Sequence, residues 1–272
     1  MPKKNSIKPA DTVDHIVNWL KSYAQNAKVN GFVVGISGGI DSAVTSLLCA
    51  QTGLQTLCVE MPIHQPPNHV TRAQEHISYL KSQFSDVSDV RTDLTPVFET
   101  FKAALPPSVD EHRLFLALAN TRARLRMTTL YYHAGINGLL VAGTGNKVED
   151  FGVGFFTKYG DGGVDISPIA DLMKSDVYAI AEYLGVPESI LNAAPADGLF
   201  TDDRSDEDQL GASYDELEWA MLESENGQAP DAFSGRQREV FAIFERLNRN
   251  NRHKMIPIPV CSIPQHLRKN LT

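Results

Sequence analysis

The chain has 272 residues, 42% apolar and 21% charged side chains, and a formal net charge of −8. That length suffices for a full core but not for two large independent domains, and the apolar fraction argues against global disorder. The acidic balance argues against an extended basic face for nucleic acid, while leaving room for a local cationic pocket. Three scattered cysteines, Cys49, Cys58 and Cys261, make neither a disulfide framework nor a CxxC zinc site. The first residues lack the apolar stretch of a signal peptide, and no run reaches the ~18 apolar residues of a membrane helix. The chain therefore reads as soluble and cytoplasmic, with no nucleic-acid or membrane partner.

In chain order, residues 11–28 carry Val13, Ile16, Val17, Leu20, Tyr23, Ala24 and Ala27 at the three-four spacing of an amphipathic helix. Residues 31–36 are a short apolar run suited to a buried parallel strand. A glycine turn at 37–42 leads into a predicted helix at 43–52, with Gly53 as its stop. The alternation repeats as strand 54–61, helix 71–84 after a bend at Pro62, Pro66 and Pro67, strand 87–94, helix 97–105, long helix 111–133 and strand 138–143. Strands alternating with helices predict an α/β, Rossmann-like three-layer fold, with a mostly parallel sheet flanked by helices. Glycines crowd residues 144–165, which predicts a long functional loop. A helix at 175–184 closes at Gly185 and Pro187. The acidic run 202–208 reads as a solvated mobile loop, followed by helices 209–224 and 234–250. Residues 1–272 are expected to form one domain with a helical C-terminal extension.

The turn Ser37-Gly38-Gly39-Ile40-Asp41-Ser42 stands between the first predicted strand and the next helix. Glycines let the backbone approach an anion, N–H groups at a helix start point at it, and the two serines add hydroxyl donors. It lacks the Gly-Lys-Ser/Thr ending of a Walker loop and is not a G-x-G-x-x-G turn. An aspartate inside a phosphate loop repels phosphate unless a cation lies between them, so Asp41 calls for Mg²⁺, which takes carboxylate and phosphate oxygens together.

This loop resembles the S-G-G-x-D-S signature of the ATP pyrophosphatases, which cleave ATP between the α and β phosphates. Three further stretches are more discriminating: NTRARLRM at 120–127, GTGNKVE at 143–149 and GFFTKYGDGGVDI at 154–166, followed by Pro168 and Lys174. Together they resemble an NAD synthetase from about residue 31 to residue 257. The resemblance implies an AMP-forming ligase that amidates deamido-NAD to NAD in the last step of NAD biosynthesis. ATP activates the nicotinate carboxylate as an acyl-adenylate, pyrophosphate leaves, and ammonia displaces AMP.

Carried over by matching motifs, the resemblance assigns ATP binding to Gly35, Ile36, Ser37, Gly38, Gly39, Ile40, Asp41, Ser42, Thr144 and Lys174. Asp41 and Lys174 are the implied catalytic residues, and Asp41 and Glu149 the implied Mg²⁺ carboxylates. Lysine is unfavourable at a helix start unless an anion is near, which supports the reading of Lys174. Deamido-NAD falls to Arg124, Lys158, Asp165, His253 and Lys254. Alternate arginines at 122, 124 and 126 cannot share one helix face, so one inward arginine is expected. The family also implies a homodimer.

The sequence departs from the family at Ala196, where many relatives have a threonine, and at Glu60, where some have an arginine near the adenosine. The stretch between Glu149 and Gly154 is one residue longer than the commonest form, and Gln74 is a weak match on the adenine side. The remaining residues leave no room for a glutaminase domain, so free or partner-supplied ammonia is expected. Rival readings are another ATP pyrophosphatase and a non-catalytic nucleotide sensor. A thiolase would want reactive cysteines and a basic face, and a sensor would be expected to lose Asp41 or Glu149.

Overall fold

The computed structural model describes residues 7–193 and 206–268. Helix α1 (Pro9–Ala27) starts with proline in its first turn, where the missing N–H costs nothing, and buries Val13, Ile16, Val17, Leu20 and Ala24 along one face. There follow β1 (Gly31–Gly35), α2 (Ile40–Ala50), β2 (Gln55–Glu60), α3 (Pro67–Gln83) and β3 (Val87–Arg91). The chain continues through α4 (Thr95–Ala103), α5 (Glu111–Asn137), β4 (Leu139–Val141), α6 (Lys174–Tyr183) and α7 (Glu188–Leu191). The strands form a parallel sheet in the order β3-β2-β1-β4.

Alternation along β1 sends Phe32 and Val34 to one face and Val33 to the other. The first face packs on α1, α2, α3, α6 and α7 through residues such as Leu20, Leu47, Leu80 and Ile180. The second packs on Phe98 of α4 and Ala134 of α5. Three layers result, as alternating strands and helices predict. Because β1 is flanked by β2 on one side and β4 on the other, the connections diverge there and open a crevice at the strands' carboxyl ends, where α/β sheets place ligands.

The differences from the sequence reading are local. Helix α2 begins at Ile40 rather than 43, because Gly39 in extended conformation (φ −97°, ψ 163°) is itself the N-cap. Its C-cap is Gln51, and Gly53 (φ +68°) turns the chain two residues later. Helix α3 begins at Pro67, since proline is tolerated in a first turn. The glycine-rich stretch is not wholly irregular: Val148–Val153 form one π-helical turn, closed by Gly154 at φ +65°. Such turns are rare, short, and frequent at functional sites.

The helix expected at 209–224 is two, α8 (Asp206–Leu210) and α9 (Tyr214–Glu225). Gly211 (φ +80°) breaks it, and a reciprocal Ser213–Glu216 cap restarts it. With α10 (Gly235–Met255) and the π-helical turn they enclose a separate apolar cluster containing Val148, Val153, Leu217, Met221, Phe241 and Phe244. Of the acidic run, 202–205 lie outside the described residues. Its end at 206–208 is helical, and Asp206 is buried, so this part is not a solvated loop. Among the described residues no helix is long and apolar enough to cross a membrane.

Candidate active site

The turn after β1 is closed by its own serines. Ser37 Oγ accepts the Gly39 N–H at 3.1 Å and lies 3.1 Å from Ser42 Oγ, which donates to the Gly39 carbonyl at 2.9 Å. Gly38 sits at φ +82°, and a Cβ there would meet the His69 carbonyl oxygen of α3 at 2.6 Å, so both backbone and space demand glycine. From α3, Arg72 Nε donates to the Gly38 carbonyl at 3.1 Å. The first turn of α2 leaves backbone N–H groups facing the crevice, a ready anion site.

Beside this loop three distant residues converge. Lys174, only 3% exposed, donates from Nζ to Asp41 Oδ2 at 2.7 Å and to Glu149 Oε1 at 2.9 Å. Asn146 fixes both acids, donating to Asp41 Oδ1 at 3.0 Å and accepting the Glu149 N–H at 3.2 Å. Tyr214 O–H donates to Glu149 Oε1 at 2.6 Å, and its ring centroid lies 4.7 Å from the ammonium. Burial alone would drive the proton off Lys174; the two carboxylates outweigh it and hold the ammonium well above its ordinary pKa. Burial likewise raises Glu149, but Lys174 and the Tyr214 hydrogen bond bring it below its ordinary value. Asp41 settles above its own, because burial and the Glu149 charge outweigh the lysine. Next to them, burial and the charges of Glu149, Asp161 and Asp41 push Asp150 up to about 8.

Two connected hollows result. The smaller, about 180 Å³, is lined by residues 37–42 together with Arg72, Thr144, Glu149 and Lys174. The larger cleft, about 1210 Å³, begins at Gly35, Ile36 and Ser37 and runs past Glu60, Gln65 and Arg126 to Phe156 and Lys254. The residues matched to ATP thus gather at one place, with Thr144 lining both hollows.

The residues matched to deamido-NAD divide. Lys254 lines the cleft, donating to the carbonyls of Gly154 and Phe156, both at 2.8 Å. Arg124, Lys158 and His253 are linked along an exposed rim: Arg124 Nη2 donates to the Lys158 carbonyl at 3.3 Å, and Lys158 Nζ to the His253 carbonyl at 2.6 Å. Asp165 joins the end of β4, accepting the Val141 N–H at 2.8 Å and the Tyr131 O–H at 3.0 Å. The arginine facing the cleft is Arg126, which donates to the Met61 carbonyl at 3.1 Å and to Gln65 Oε1 at 2.8 Å. Gln74 lies on the exposed face of α3, and the glutamines lining the cleft are Gln65 and Gln209. Ala196 lies outside the described residues.

Arg72, Asn146, Tyr214 and Arg126 are among the polar residues that sequence reading did not assign to the site. Asn146 stood inside the GTGNKVE motif and could have been found there. Tyr214 reaches the site only through the packing of α9, which no local pattern announces.

Comparison with known proteins identifies the family. A family model described as NAD synthase matches residues 12–257. The NH(3)-dependent NAD(+) synthetase of Carboxydothermus hydrogenoformans is 35% identical over 245 residues, 90% of this chain and 94% of the relative. That of Mesoplasma florum is 41% identical over 208 residues, 76% of this chain and 82% of the relative. Among solved structures, the NMN synthetase from Francisella tularensis superposes with a TM-score of 0.80 at 31% identity, covering 96% of this chain and 100% of that one. The NH3-dependent NAD synthetase from Campylobacter jejuni shares the fold, with a TM-score of 0.74 at 22% identity over 94% of this chain and 100% of that one. The chain belongs to the NAD synthase family, ATP-using ligases of NAD biosynthesis.

Proposed function

We propose that this chain amidates the nicotinate carboxylate of deamido-NAD, with ATP held on residues 35–42 and ammonia as the nitrogen donor. The observation that carries the reading is the meeting of Asp41, Glu149 and Lys174 against the glycine loop. A carboxylate is a poor electrophile, so the reaction has to give it a leaving group. A nicotinate oxygen attacks the α-phosphorus, the bond to the β-phosphate oxygen breaks, and pyrophosphate departs. Ammonia then adds to the acyl carbon, loses a proton, and expels AMP.

The protein's share is positioning and charge neutralisation. Loop N–H groups and the Ser37 and Ser42 hydroxyls hold the leaving phosphates. Thr144, at the junction of the two hollows, orients the α-phosphate. Lys174 offers a fixed positive charge to the developing negative one.

Asp41 and Glu149 fit a magnesium ion. Their oxygens already converge on one cation, the Lys174 ammonium, and both are hard oxygen donors of the kind Mg²⁺ takes alongside phosphates and water. When bound there, the ion would neutralise phosphate charge. Lys254 and Arg126 supply cations to the larger cleft, whose volume exceeds the ~300–1,000 Å³ of a single small-molecule pocket. The rim of Arg124, Lys158 and His253, with Asp165 at the end of β4, then receives the part of the dinucleotide that extends beyond the cleft. A second copy of the chain packing on α5 would cover Tyr132 and Ile136, which are exposed apolar side chains on its last turns; this supports a homodimer.

The experiment is product analysis. Purified protein with ATP, deamido-NAD and ammonium should yield NAD, AMP and pyrophosphate in equal amounts. ADP and orthophosphate in their place would refute the adenylate route, and ATP binding without turnover would favour a sensor. The likeness to the Francisella NMN synthetase supports a second reading, with nicotinate mononucleotide as the acid. The same assay with each acid decides between them by kcat/KM.

A further inference from the structure

Helix α9 reaches the acids of the site through one side chain. Tyr214, 5% exposed, opens the helix, and its backbone is pinned on both sides. Ser213 and Glu216 close a reciprocal cap around it, and its own N–H donates to Glu207 Oε1 at 2.8 Å. Its hydroxyl has one proton and two acids in reach. Glu149 Oε1 lies at 2.6 Å and Asp206 Oδ2 at 3.4 Å, so the proton goes to Glu149. One turn further along the same face, Glu218 accepts the Ser175 N–H and the Ser175 O–H, both at 2.7 Å. Ser175 follows Lys174, so one face of α9 sets the positions of both partners in the Lys174–Glu149 pair.

Glu149 Oε1 thus accepts two hydrogen bonds of different kinds. Lys174 brings a positive charge, which offsets that of the carboxylate and competes with any other cation for it. Tyr214 brings a neutral donor, which fixes the plane of the carboxylate and leaves its charge intact. With Oε1 engaged, Oε2 is the oxygen left for a metal. Ligating carboxylates are themselves held by outer hydrogen-bond partners, and losing such a partner weakens the metal. The need is greater here, because Glu149 stands on a single π-helical turn and not within a longer helix. Lys174 is shared with Asp41 and lines the smaller hollow, whereas Tyr214 lines neither hollow and meets Glu149 from behind.

We infer that Tyr214 is a positioning residue for the metal-binding carboxylate: its hydroxyl holds Glu149 in the orientation that takes Mg²⁺. This rests on the reading of Asp41 and Glu149 as the magnesium acids.

The test separates metal affinity from turnover. Mn²⁺ stands in for Mg²⁺, and water-proton relaxation follows its binding to the protein in the presence of α,β-methylene-ATP, which cannot release pyrophosphate. Tyr214→Phe keeps the ring beside the Lys174 ammonium and removes only the O–H. Lys174 stays on Glu149 Oε1, so that acceptor is not stranded and the variant should melt close to the parent. It should bind Mn²⁺ roughly ten- to hundredfold more weakly and need more Mg²⁺ for half-maximal rate by the same factor, with kcat at saturating Mg²⁺ little changed. Met221→Ala, in the apolar cluster on the same helix, should lower the melting temperature and leave Mn²⁺ binding as it was. Unchanged Mn²⁺ affinity in Tyr214→Phe would overturn the inference. An equal loss in Met221→Ala would do so too, by reducing Tyr214 to a support of α9. Absence of Mn²⁺ binding by the parent protein, by contrast, would strike the magnesium assignment itself and the role of Tyr214 with it.

Discussion

Asp41 stands 133 positions from the lysine that it pairs with, and its carboxylate belongs to the first turn of α2. Asp41→Ala should abolish turnover, by three orders of magnitude or more on the scale of ~10²–10³ per lost electrostatic contact compounded by loss of the metal. The fold should survive, because no apolar packing depends on the carboxylate; steady-state rates and a thermal melt check the two halves separately. This residue was legible in the sequence because phosphate chemistry needs glycines, hydroxyls and an acid in one unbroken run. Arg72 and Tyr214 were not, since each meets its partner only after helices separated in sequence have packed.

His76 gives a pH dependence at the same scale. It is fully buried on α3, with Nε2 2.8 Å from Ser46 Oγ on α2, and burial pushes it down to about 4 from an ordinary 6.5. The native imidazole stays neutral while the unfolded one takes up a proton below 6.5. Stability is therefore full above 6.5 and falls as pH drops towards about 4, by about 3 kcal/mol. Urea unfolding at about pH 7 and at about pH 4.5 should show the loss, and His76→Gln should remove most of it. A variant as acid-sensitive as the parent would assign the loss to other groups.

At the scale of elements, periodicity predicted β1 to β4 and α1 to α6 with errors confined to their ends. It failed where one residue decides. Gly211 splits α8 from α9, and a single π-helical turn carries Glu149 within a stretch too short to show a period. The phosphate loop depends on such a residue too. Gly38→Ala would force a side chain into a left-handed backbone and against the His69 carbonyl. It should cost about 1–3 kcal/mol of stability and raise KM for ATP, by displacing α3 from the loop. Isothermal titration with ATP and a denaturant curve test this, and an unchanged affinity would show that the contact with α3 does not shape the loop.

For the whole molecule, the layered α/β plan was legible because alternating strands and helices leave few ways to cover both faces of a sheet. Assembly was not, since a surface to be covered by a second copy has no periodicity of its own. Ile136, 62% exposed near the end of α5, offers a probe. Ile136→Glu should turn a dimer into a monomer in sedimentation velocity without lowering the melting temperature of the isolated fold. A monomeric parent would refute the proposed packing.

The apolar cluster of α8, α9, α10 and the π-helical turn is separate from the two that sandwich the sheet, yet Glu149 springs from that cluster and Asp41 from α2, which packs in one of the other two. A ligand held by both acids acts as a clasp across a seam. Occupancy should therefore slow proteolytic nicking and amide exchange throughout the C-terminal helices, well away from any atom the nucleotide touches, and leave the sheet's own exchange nearly as it was.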